Sequence, residues 1–501
     1  MTAQPAPPEA EAFRLMRAGQ LAEALVLAER AVNGRTICSP SHGLLATILL
    51  RLGRTADAEA VVENAVKCSP GIADAYDALA YVSLALGHHE RANALYRRAA
   101  ELAPDVPRHW YNLASSERSF GRLAEAEAAC DRAIALDARE YPSYLLRSEL
   151  RVQSPADNHI DQLRGELSRE GADDRARVYL TYALGKELDD LGRYEEAIGC
   201  IAEAASTRRR HLAYDVAVDE RKLQRIAEVF PTASSPSARG AEESSRYVFI
   251  VGLPRSGTTL VERILTGLPH VRSNGETDHF ASALLAASPP AQPGANAGTE
   301  DVFARAARAD WSAVATGYAR RAGLGRPGVR DGGSNEIIVE KLPMNYLYLG
   351  AIHRALPRAR LVCVSRSPLD GCFAMYRTLF GEAYPFSYDF NDLARYYGAY
   401  SRLVAHWRAT LGEAIHEVRY EELVSEPLRT GAALARACGL EWRDCAAEVE
   451  KNAAISYSAS AAQVRRPIYR SSMGRWRHYR AQLEPLVEAL RREGMPLAEL
   501  D

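Results

Sequence analysis

Small residues recur at a fixed step along the first third of the chain. The step of 34 residues is set by Gly19, Gly53, Gly87 and Gly121. Alanine follows each glycine after five residues, at Ala24, Ala58, Ala92 and Ala126, and after twelve, at Ala31, Ala65, Ala99 and Ala133. Within one step, Tyr76, Leu79 and Ala80 have the spacing of a helix face. Three series with one step predict an array of similar helical units.

This pattern resembles the tetratricopeptide repeat, in which two antiparallel helices pack through small residues and a glycine ends the first helix. The unit from Ala73 to Pro104 is the clearest copy. The step is lost over 141–175 and returns from Leu184 to Ala204. We therefore predict an α-solenoid over residues 1–230. It either stabilises or dimerises the protein, or it forms a concave groove that presents a peptide or protein.

The pattern changes in the second half of the chain. Residues 231–246 are rich in Pro, Ser, Ala and Gly and predict a linker. Short apolar, β-branched runs then alternate with helical stretches, at 247–251, 336–339, 360–364 and 416–420. This alternation predicts βαβ units and a mainly parallel, doubly wound α/β sheet in a domain over 247–501. Two Gly/Pro-rich segments, 287–299 and 322–335, predict mobile loops beside a site.

Composition narrows the class of protein. With 47% apolar and 25% charged residues in 501, the chain is neither wholly disordered nor a membrane bundle. A net charge of -2 gives no electrostatic reason to expect nucleic acid as a partner. The start, MTAQPAPPEAEAF, lacks the features of a signal peptide, and no run of 18 apolar residues occurs, so we expect a cytoplasmic protein without a membrane segment. Its eight cysteines show no CxxC pairs and predict neither disulfides nor a zinc site.

A phosphate-binding loop is the main candidate for chemistry. YVFIV is followed by GLPRSGTT and then by LVERIL, which predicts strand, loop and helix. Backbone N–H groups of such a loop and the positive end of the helix converge on an anion. The hydroxyls of Ser256, Thr258 and Thr259 are further donors.

The same loop lacks a feature that ATPases and kinases need. Gly252 and Gly257 have the spacing of GxxxxGK[ST], but Thr258 stands where the lysine would reach the terminal phosphates. The nearby cation is Arg255, inside the loop. A nucleotide whose transferred group carries less charge than a γ-phosphate suits this loop, and a sulfuryl group fits.

The segment from about 247 to 490 resembles the sulfotransferase family that uses 3′-phosphoadenosine 5′-phosphosulfate (PAPS), close to its tyrosylprotein branch and to bacterial proteins that fuse tetratricopeptide repeats to such a domain. PRSGTT corresponds to the family's 5′-phosphosulfate motif. The resemblance thus implies a binding loop of Pro254, Arg255, Ser256, Gly257, Thr258 and Thr259.

Glu276 lies in SNGET, 21 residues after Arg255, a spacing similar to that of the family's catalytic glutamate. The resemblance implies a general base that takes the proton of the acceptor hydroxyl. A glutamate that caps a helix is the alternative. His270 and His279 are competing candidates for the base.

Lys341 directly follows the predicted strand EIIV, at the carboxyl edge of the sheet. The resemblance implies that Lys341 stabilises the oxygen that bridges sulfur and phosphate as it leaves, together with Arg255. The alternative is an exposed lysine that pairs with Glu340.

The next predicted strand, RLVCV, leads into Arg366, which the resemblance assigns to the 3′-phosphate. The family usually has a serine eight residues later, where this chain has Ala374, so one hydroxyl contact is missing or replaced. Tyr420, after the last strand, is implied to contact the adenine, or is an ordinary core tyrosine.

A basic cluster lies near the C-terminus. It contains Arg465, Arg466, Arg470 and Arg475 and predicts an anion site or, alternatively, a solvated basic face. The resemblance assigns Ser460 and Arg475 to the nucleotide phosphates.

Together these features predict sulfuryl transfer from PAPS to a hydroxyl, without a metal, which leaves adenosine 3′,5′-bisphosphate (PAP). The expected acceptor is a tyrosine of a peptide or protein presented by the repeats. A saccharide or small metabolite is the alternative acceptor, and a P-loop kinase or NTPase and a non-catalytic scaffold are the alternative functions. A homodimer is compatible with this organisation.

Overall fold

The computed structural model describes residues 7–33, 39–68, 71–169, 171, 173–231, 244–290, 301–323, 336–456, 458, 460–497 and 500. The chain divides into two compact units, Met1–Val152 and Gln153–Asp501. The two Gly/Pro-rich segments predicted as mobile loops fall mostly on 291–300 and 324–335, outside the described residues. Most of the predicted linker, 232–243, also lies outside them.

The first unit is helical. Its described helices are α1 (Pro8–Arg17), α2 (Leu21–Val32), α3 (Pro40–Arg51), α4 (Thr55–Lys67), α5 (Ala73–Ala85), α6 (His89–Leu102), α7 (Pro107–Phe120), α8 (Leu123–Leu136) and α9 (Tyr141–Leu150). The repeated Ala24, Ala58, Ala92 and Ala126 have no exposed surface. The four repeated glycines have φ between 74° and 81°, the left-handed conformation that ends the first helix of each pair. The predicted helical repeats are confirmed.

Four further helices belong to the second unit: α10 (Ile160–Leu167), α11 (Asp174–Asp190), α12 (Tyr194–Arg210) and α13 (Val216–Val229). Their polar contacts reach the residues after 360. Tyr182 donates to the carbonyl of Tyr376 (3.1 Å) and Arg209 pairs with Asp392 (2.8 Å). The prediction placed the end of the helical domain at 230, whereas the compact units meet at Val152 and Gln153. This boundary lies within the stretch 141–175, where the 34-residue step is lost, and the step carries no information about which surface a helix pair buries.

The rest of the second unit is an α/β fold. Five parallel strands, β1 (Tyr247–Gly252), β2 (Val271–Ser273), β3 (Ile337–Lys341), β4 (Arg360–Ser365) and β5 (Ile415–Arg419), form a sheet in the order β2-β3-β1-β4-β5. Its helices are α14 (Thr258–Thr266), α15 (His279–Ala287), α16 (Val302–Ala306), α17 (Trp311–Ala322), α18 (Leu349–Ala355), α19 (Pro368–Tyr376), α20 (Phe390–Leu411), α21 (Tyr420–Ser425), α22 (Pro427–Ala437) and α23 (Glu484–Arg492). The parallel sheet is as predicted, with the short β2 as an additional strand.

Strand β1 occupies the centre of the sheet, and every residue of it is buried. Its neighbours are β3 on one side and β4 on the other, so the connections run in opposite directions from this strand. A crevice forms at such a switch point, beyond the carboxyl ends of the strands. The segments that follow β1, β3, β4 and β5 therefore converge at one edge.

The C-terminal segment is fixed to this edge by the buried guanidinium of Arg263, on α14. Arg263 donates to the carbonyls of Ala454 (2.7 Å), Val449 (2.9 Å) and Asn452. Burial lowers its pKa to about 10, which still leaves a cation at neutral pH. Arg465 adds bonds to the carbonyls of Asn452 (3.0 Å) and Ala454 (2.9 Å). The loop after β1 and the segment around 458–463 are thereby held side by side.

Candidate functional site

The loop after β1 has the backbone of a tight anion cradle. Gly257 has φ of 103° and immediately precedes α14, whose first N–H groups have no partner within the helix. Arg255 has φ of 65°, a conformation that is uncommon outside glycine and frequent at functional sites. The buried hydroxyl of Ser256 has no hydrogen-bond partner among the described residues. This loop thus contains a buried hydroxyl without a partner among the described residues and leads directly into a helix N-terminus.

The arginine of this loop is held by the C-terminal segment. Arg255 donates to the hydroxyl of Ser460 (2.6 Å) and to Oε1 of Gln463 (2.8 Å). Thr259, one residue into α14, donates to the hydroxyl of Ser458 (3.0 Å). The structure thus brings together Arg255 and Ser460, two of the predicted binding residues, although they are 205 residues apart.

Arg366, after β4, lies over the ring of Tyr420, with 4.7 Å between the guanidinium carbon and the ring centre. It donates to the carbonyls of Arg255 (3.1 Å) and Ser472 (2.6 Å), and its buried Nε is unpartnered among the described residues. The Tyr420 hydroxyl is 2.6 Å from that of Ser472. The ring of Tyr420 also packs against Gly257, where an added Cβ would lie 2.5 Å from the ring. Tyr420 is therefore a wall of the site as well as a buried residue.

Arg255, Gly257, Thr259, Arg366, Tyr420 and Ser460 line one cleft, a concave site of the kind that binds small molecules. Its charged lining residues are Arg255, Arg366, Arg377, Arg466, Arg475 and Asp370. Five guanidinium groups face one carboxylate in a chain of net charge -2. The cleft suits an anion with more than one charged group. Ala374 also lines it, at the position where the predicted hydroxyl is missing.

The C-terminal arginines divide into two pairs. Arg465 and Arg470 donate to backbone carbonyls and hold the segment in place. Arg466 and Arg475 line the cleft. Arg475, predicted to bind a nucleotide phosphate, also pairs with Asp189 of α11, with 2.5 Å between Nη2 and Oδ2. Arg466 and Arg470 are exposed, whereas Arg465 and Arg475 are partly buried, so only part of this segment is a solvated basic face.

A second cluster adjoins the phosphate loop through α14. Lys341, at the end of β3, is 2% exposed at its side chain and donates to Glu276. Its ammonium is also 3.6 Å from Glu262 of α14, which accepts from Ser273 (2.5 Å). Burial alone would lower the pKa of Lys341, but the charges of Glu262 and Glu276 outweigh burial and raise it. The lysine is a fixed cation and is unsuited to act as a base.

The alternative partners predicted for this region do not fit. Glu340 is fully buried, and burial raises its pKa to about 8, so it does not offer Lys341 a negative charge at neutral pH. The helix that follows Glu276 is α15. Its N-cap residue is Asp278, and no side chain makes a capping hydrogen bond there. His279 lies 3.7 Å from Glu340, and His270 is exposed with its carbonyl bound to the N–H of Ile337. The carboxylate beside Lys341 is that of Glu276, whose side chain is 32% exposed.

Several members of the site carry no sequence motif. Arg377 follows Ala374 by one helical turn, a position that a helical reading of α19 could have found. Gln463, Ser472 and Glu262 could not have been singled out, because their partners lie in other parts of the chain. Within the described ranges, no cluster of three His, Cys, Asp or Glu side chains is arranged to hold a metal ion.

None of the helices described here combines the length and the apolarity needed to cross a bilayer.

Residues 247–444 match the family model described as "Sulfotransferase family", and residues 78–144 match a tetratricopeptide repeat model. The resemblances to sulfotransferases and to tetratricopeptide repeats are confirmed, whereas the PAPS donor and the tyrosylprotein branch stay predictions. An uncharacterized protein of Aquifex aeolicus is 28% identical over 377 residues, which cover 74% of this chain and 48% of that protein. The chain thus spans about half the length of this curated relative.

Among solved structures, a sulfotransferase from Alicyclobacillus acidocaldarius has 18% identity and a TM-score of 0.26, covering 49% of this chain and 94% of that one. A sulfotransferase from Mycobacterium tuberculosis has 17% identity and a TM-score of 0.29, covering 70% of this chain and 96% of that one.

The contact between Gly257 and Tyr420 predicts a large cost for Gly257→Ala. The new Cβ would lie 2.5 Å from Tyr420 at a φ of 103°, so backbone strain and overpacking add to more than about 2 kcal/mol of unfolding free energy. Gly439→Ala is the matched control, because Gly439 has φ of 71° and its nearest neighbour would be 3.9 Å away. We expect about 1 kcal/mol for the control. Urea unfolding measures both, and equal losses would contradict the close packing of loop and ring.

Proposed function

We propose that this protein is a sulfotransferase that transfers the sulfuryl group of PAPS to a hydroxyl acceptor. The observation that carries the proposal is the buried Lys341, held beside Glu276 and joined through Glu262 to the helix of the phosphate loop. This arrangement combines a fixed cation, Lys341, with a partly exposed carboxylate, Glu276, and the anion-binding phosphate loop. The sulfotransferase match over residues 247–444 covers all three.

The residues divide the chemistry between them. Glu276 takes the proton of the acceptor hydroxyl while the hydroxyl oxygen forms its bond to sulfur. The cations of Lys341 and Arg255 stabilise the negative charge on the phosphate oxygen when its bond to sulfur breaks, and PAP leaves. PAPS, when bound, supplies the sulfuryl group. Cationic side chains of this protein stabilise the negative charge that develops on the leaving oxygen. The proposed mechanism therefore needs no metal.

The arginine-lined cleft supports a nucleotide with two separate phosphates. The loop Pro254 to Thr259 would hold the 5′-phosphosulfate, and Arg366, Ser460 and Arg475 the 3′-phosphate. Tyr420 would lie against the adenine. The unused hydroxyl of Ser256 and the unused Nε of Arg366 fit an anionic ligand, because buried polar groups without a partner are otherwise costly.

A second cleft supports an aromatic acceptor. It holds about 400 Å³ and is lined by Ala213, Tyr214, Asp215, Val218, Asp219, Lys222, Met344, Tyr384, Pro385, Phe386 and Tyr396. Met344 follows Lys341 by three residues. Burial raises the pKa of Tyr384, and the nearby charge of Glu276 raises it further. Tyr384 has φ of 53°, a second strained residue beside the candidate base.

The polar groups of this cleft argue against a sugar. Asp219 pairs with Lys222 and accepts from the hydroxyl of Tyr214 (2.8 Å), and Asp215 caps the start of α13. A saccharide needs several available hydrogen-bonding groups, whereas these bond to one another. Aromatic walls and the apolar side chain of Val218 suit a flat ring. We therefore propose a phenolic acceptor, with a tyrosine of a peptide or protein as the substrate and the repeats as the part that binds it in the cytoplasm.

Glu276→Gln in the full chain should lower kcat by about 10²- to 10⁴-fold, because the acceptor hydroxyl loses its base. The Kd of PAP should change less than about threefold, since Glu276 lies outside the nucleotide cleft. Transfer of labelled sulfate from PAPS to a tyrosine peptide measures the first, and calorimetry the second. Glu488→Gln, on the exposed face of α23, is the matched control. Undiminished turnover would contradict the assignment of Glu276 as the base. Binding of ATP with Mg²⁺ in place of PAP would contradict the proposed sulfotransferase activity.

Val218→Trp should raise the KM of a tyrosine peptide at least about tenfold, because the indole would fill the second cleft. Val218 is 55% exposed, so the change is compatible with folding. Val302→Trp, on α16, is a control of similar exposure, at 43%. Sulfation of N-acetylglucosamine in preference to the peptide would overturn the phenolic acceptor and leave the donor assignment intact.

A further inference from the structure

Asp189 is the most completely buried acid in contact with the arginine-lined cleft. It lies one residue before the end of α11, in the helical part of the second unit, and its side chain is 1% exposed. A single buried carboxylate is costly unless charges and donors surround it. Asp189 meets three of them: Arg475, Arg377 and the hydroxyl of Tyr479.

The contacts of Asp189 restrain both arginines. Arg475 approaches with Nη2 at 2.5 Å from Oδ2 and Nε at 3.2 Å from both carboxylate oxygens. Arg377 forms an ion pair with the same carboxylate, with 2.8 Å between Nη1 and Oδ2. The charge-assisted hydrogen bonds of Arg475 fix both the distance and the plane of its guanidinium, whereas Arg377 is held by charge attraction at short range.

Both arginines also line the cleft, with side chains that are 26% and 22% exposed for Arg475 and Arg377. Each guanidinium therefore has a buried side on Asp189 and an open side toward the cleft. Two cations share one carboxylate, so a positive charge remains for a ligand. Ala374 lies one helical turn before Arg377 and lines the same cleft.

Helix α11 contacts this region at a second point. Tyr182 is seven residues before Asp189, hence on the same face of the helix, and donates to the carbonyl of Tyr376 (3.1 Å). That carbonyl immediately precedes Arg377. The helix fixes the backbone at the end of α19 as well as the side chain that follows it.

We propose that Asp189 is a positioning residue that orients Arg377 and Arg475 toward the 3′-phosphate of the nucleotide, and that Arg377 supplies the contact which Ala374 cannot make. The proposal rests on the proposed function for the identity of the ligand. Without Asp189 the two guanidinium groups repel each other and turn toward solvent. The helical segment before the α/β fold is then part of the nucleotide site.

The test compares two nucleotides that differ only in the 3′-phosphate. In the full chain, Asp189→Asn should raise the Kd of PAP by about 10- to 100-fold. The Kd of adenosine 5′-monophosphate should change less than about threefold, because that ligand does not reach the two arginines. Asp190→Asn is the matched control: Asp190 is the next residue, and it pairs with Lys186 (2.6 Å) and accepts from the backbone of Gln153 (2.9 Å).

Arg377→Met provides a second variant in case Asp189→Asn fails to fold, because it leaves Asp189 paired with Arg475 and Tyr479. It should show the same selective loss of PAP affinity. Equal losses for both nucleotides, or no loss in either, would show that Asp189 only anchors α11 and would overturn the proposal. A wild-type protein that binds no PAP would instead overturn the proposed function.

Discussion

The second unit must keep several cations close together before any anion arrives. Like charges in a common cleft repel, and water is partly excluded where they are buried. Several of these cations have specific partners: Arg255 donates to Ser460 and Gln463, and Arg366 donates to backbone carbonyls. Lys341 has two carboxylates. Each partner holds the cation in a fixed direction, so little reorganisation is needed when a charged ligand binds.

The partners come from remote parts of the chain, and this explains the architecture around the sheet. The crevice beyond β1 is placed by the switch of strand order, but the sheet alone supplies only one wall. The C-terminal segment supplies Ser460 and Gln463, and Arg263 keeps that segment against α14. Helix α11 supplies Asp189. Helical segments that look like an appended repeat in the sequence thus share one compact unit with the sheet.

The sequence allowed prediction of features that depend on local spacing. The 34-residue step, the buried strand runs and the loop after β1 each concern neighbours within one turn, strand or helix pair. The short β2 was not predicted, because its three half-buried residues show no alternation of buried and exposed positions. Asp189 escaped for a different reason: Arg475 is 286 residues away, and no spacing encodes such a pair. The boundary at Val152 and Gln153 likewise depends on which surfaces bury each other, which no local spacing encodes.

In the proposed nucleotide site, Arg377 would compensate for the hydroxyl that Ala374 lacks. A neutral hydroxyl contributes one modest hydrogen bond to a phosphate, whereas a guanidinium adds charge and two donors. Arg377 is longer and would be mobile on its own, so this gain depends on restraint. A buried carboxylate provides that restraint only if its own burial is compensated, and here Arg475 and Tyr479 share that role. The proposed contact of Arg377 with the 3′-phosphate therefore depends on a helix that holds Asp189 in place.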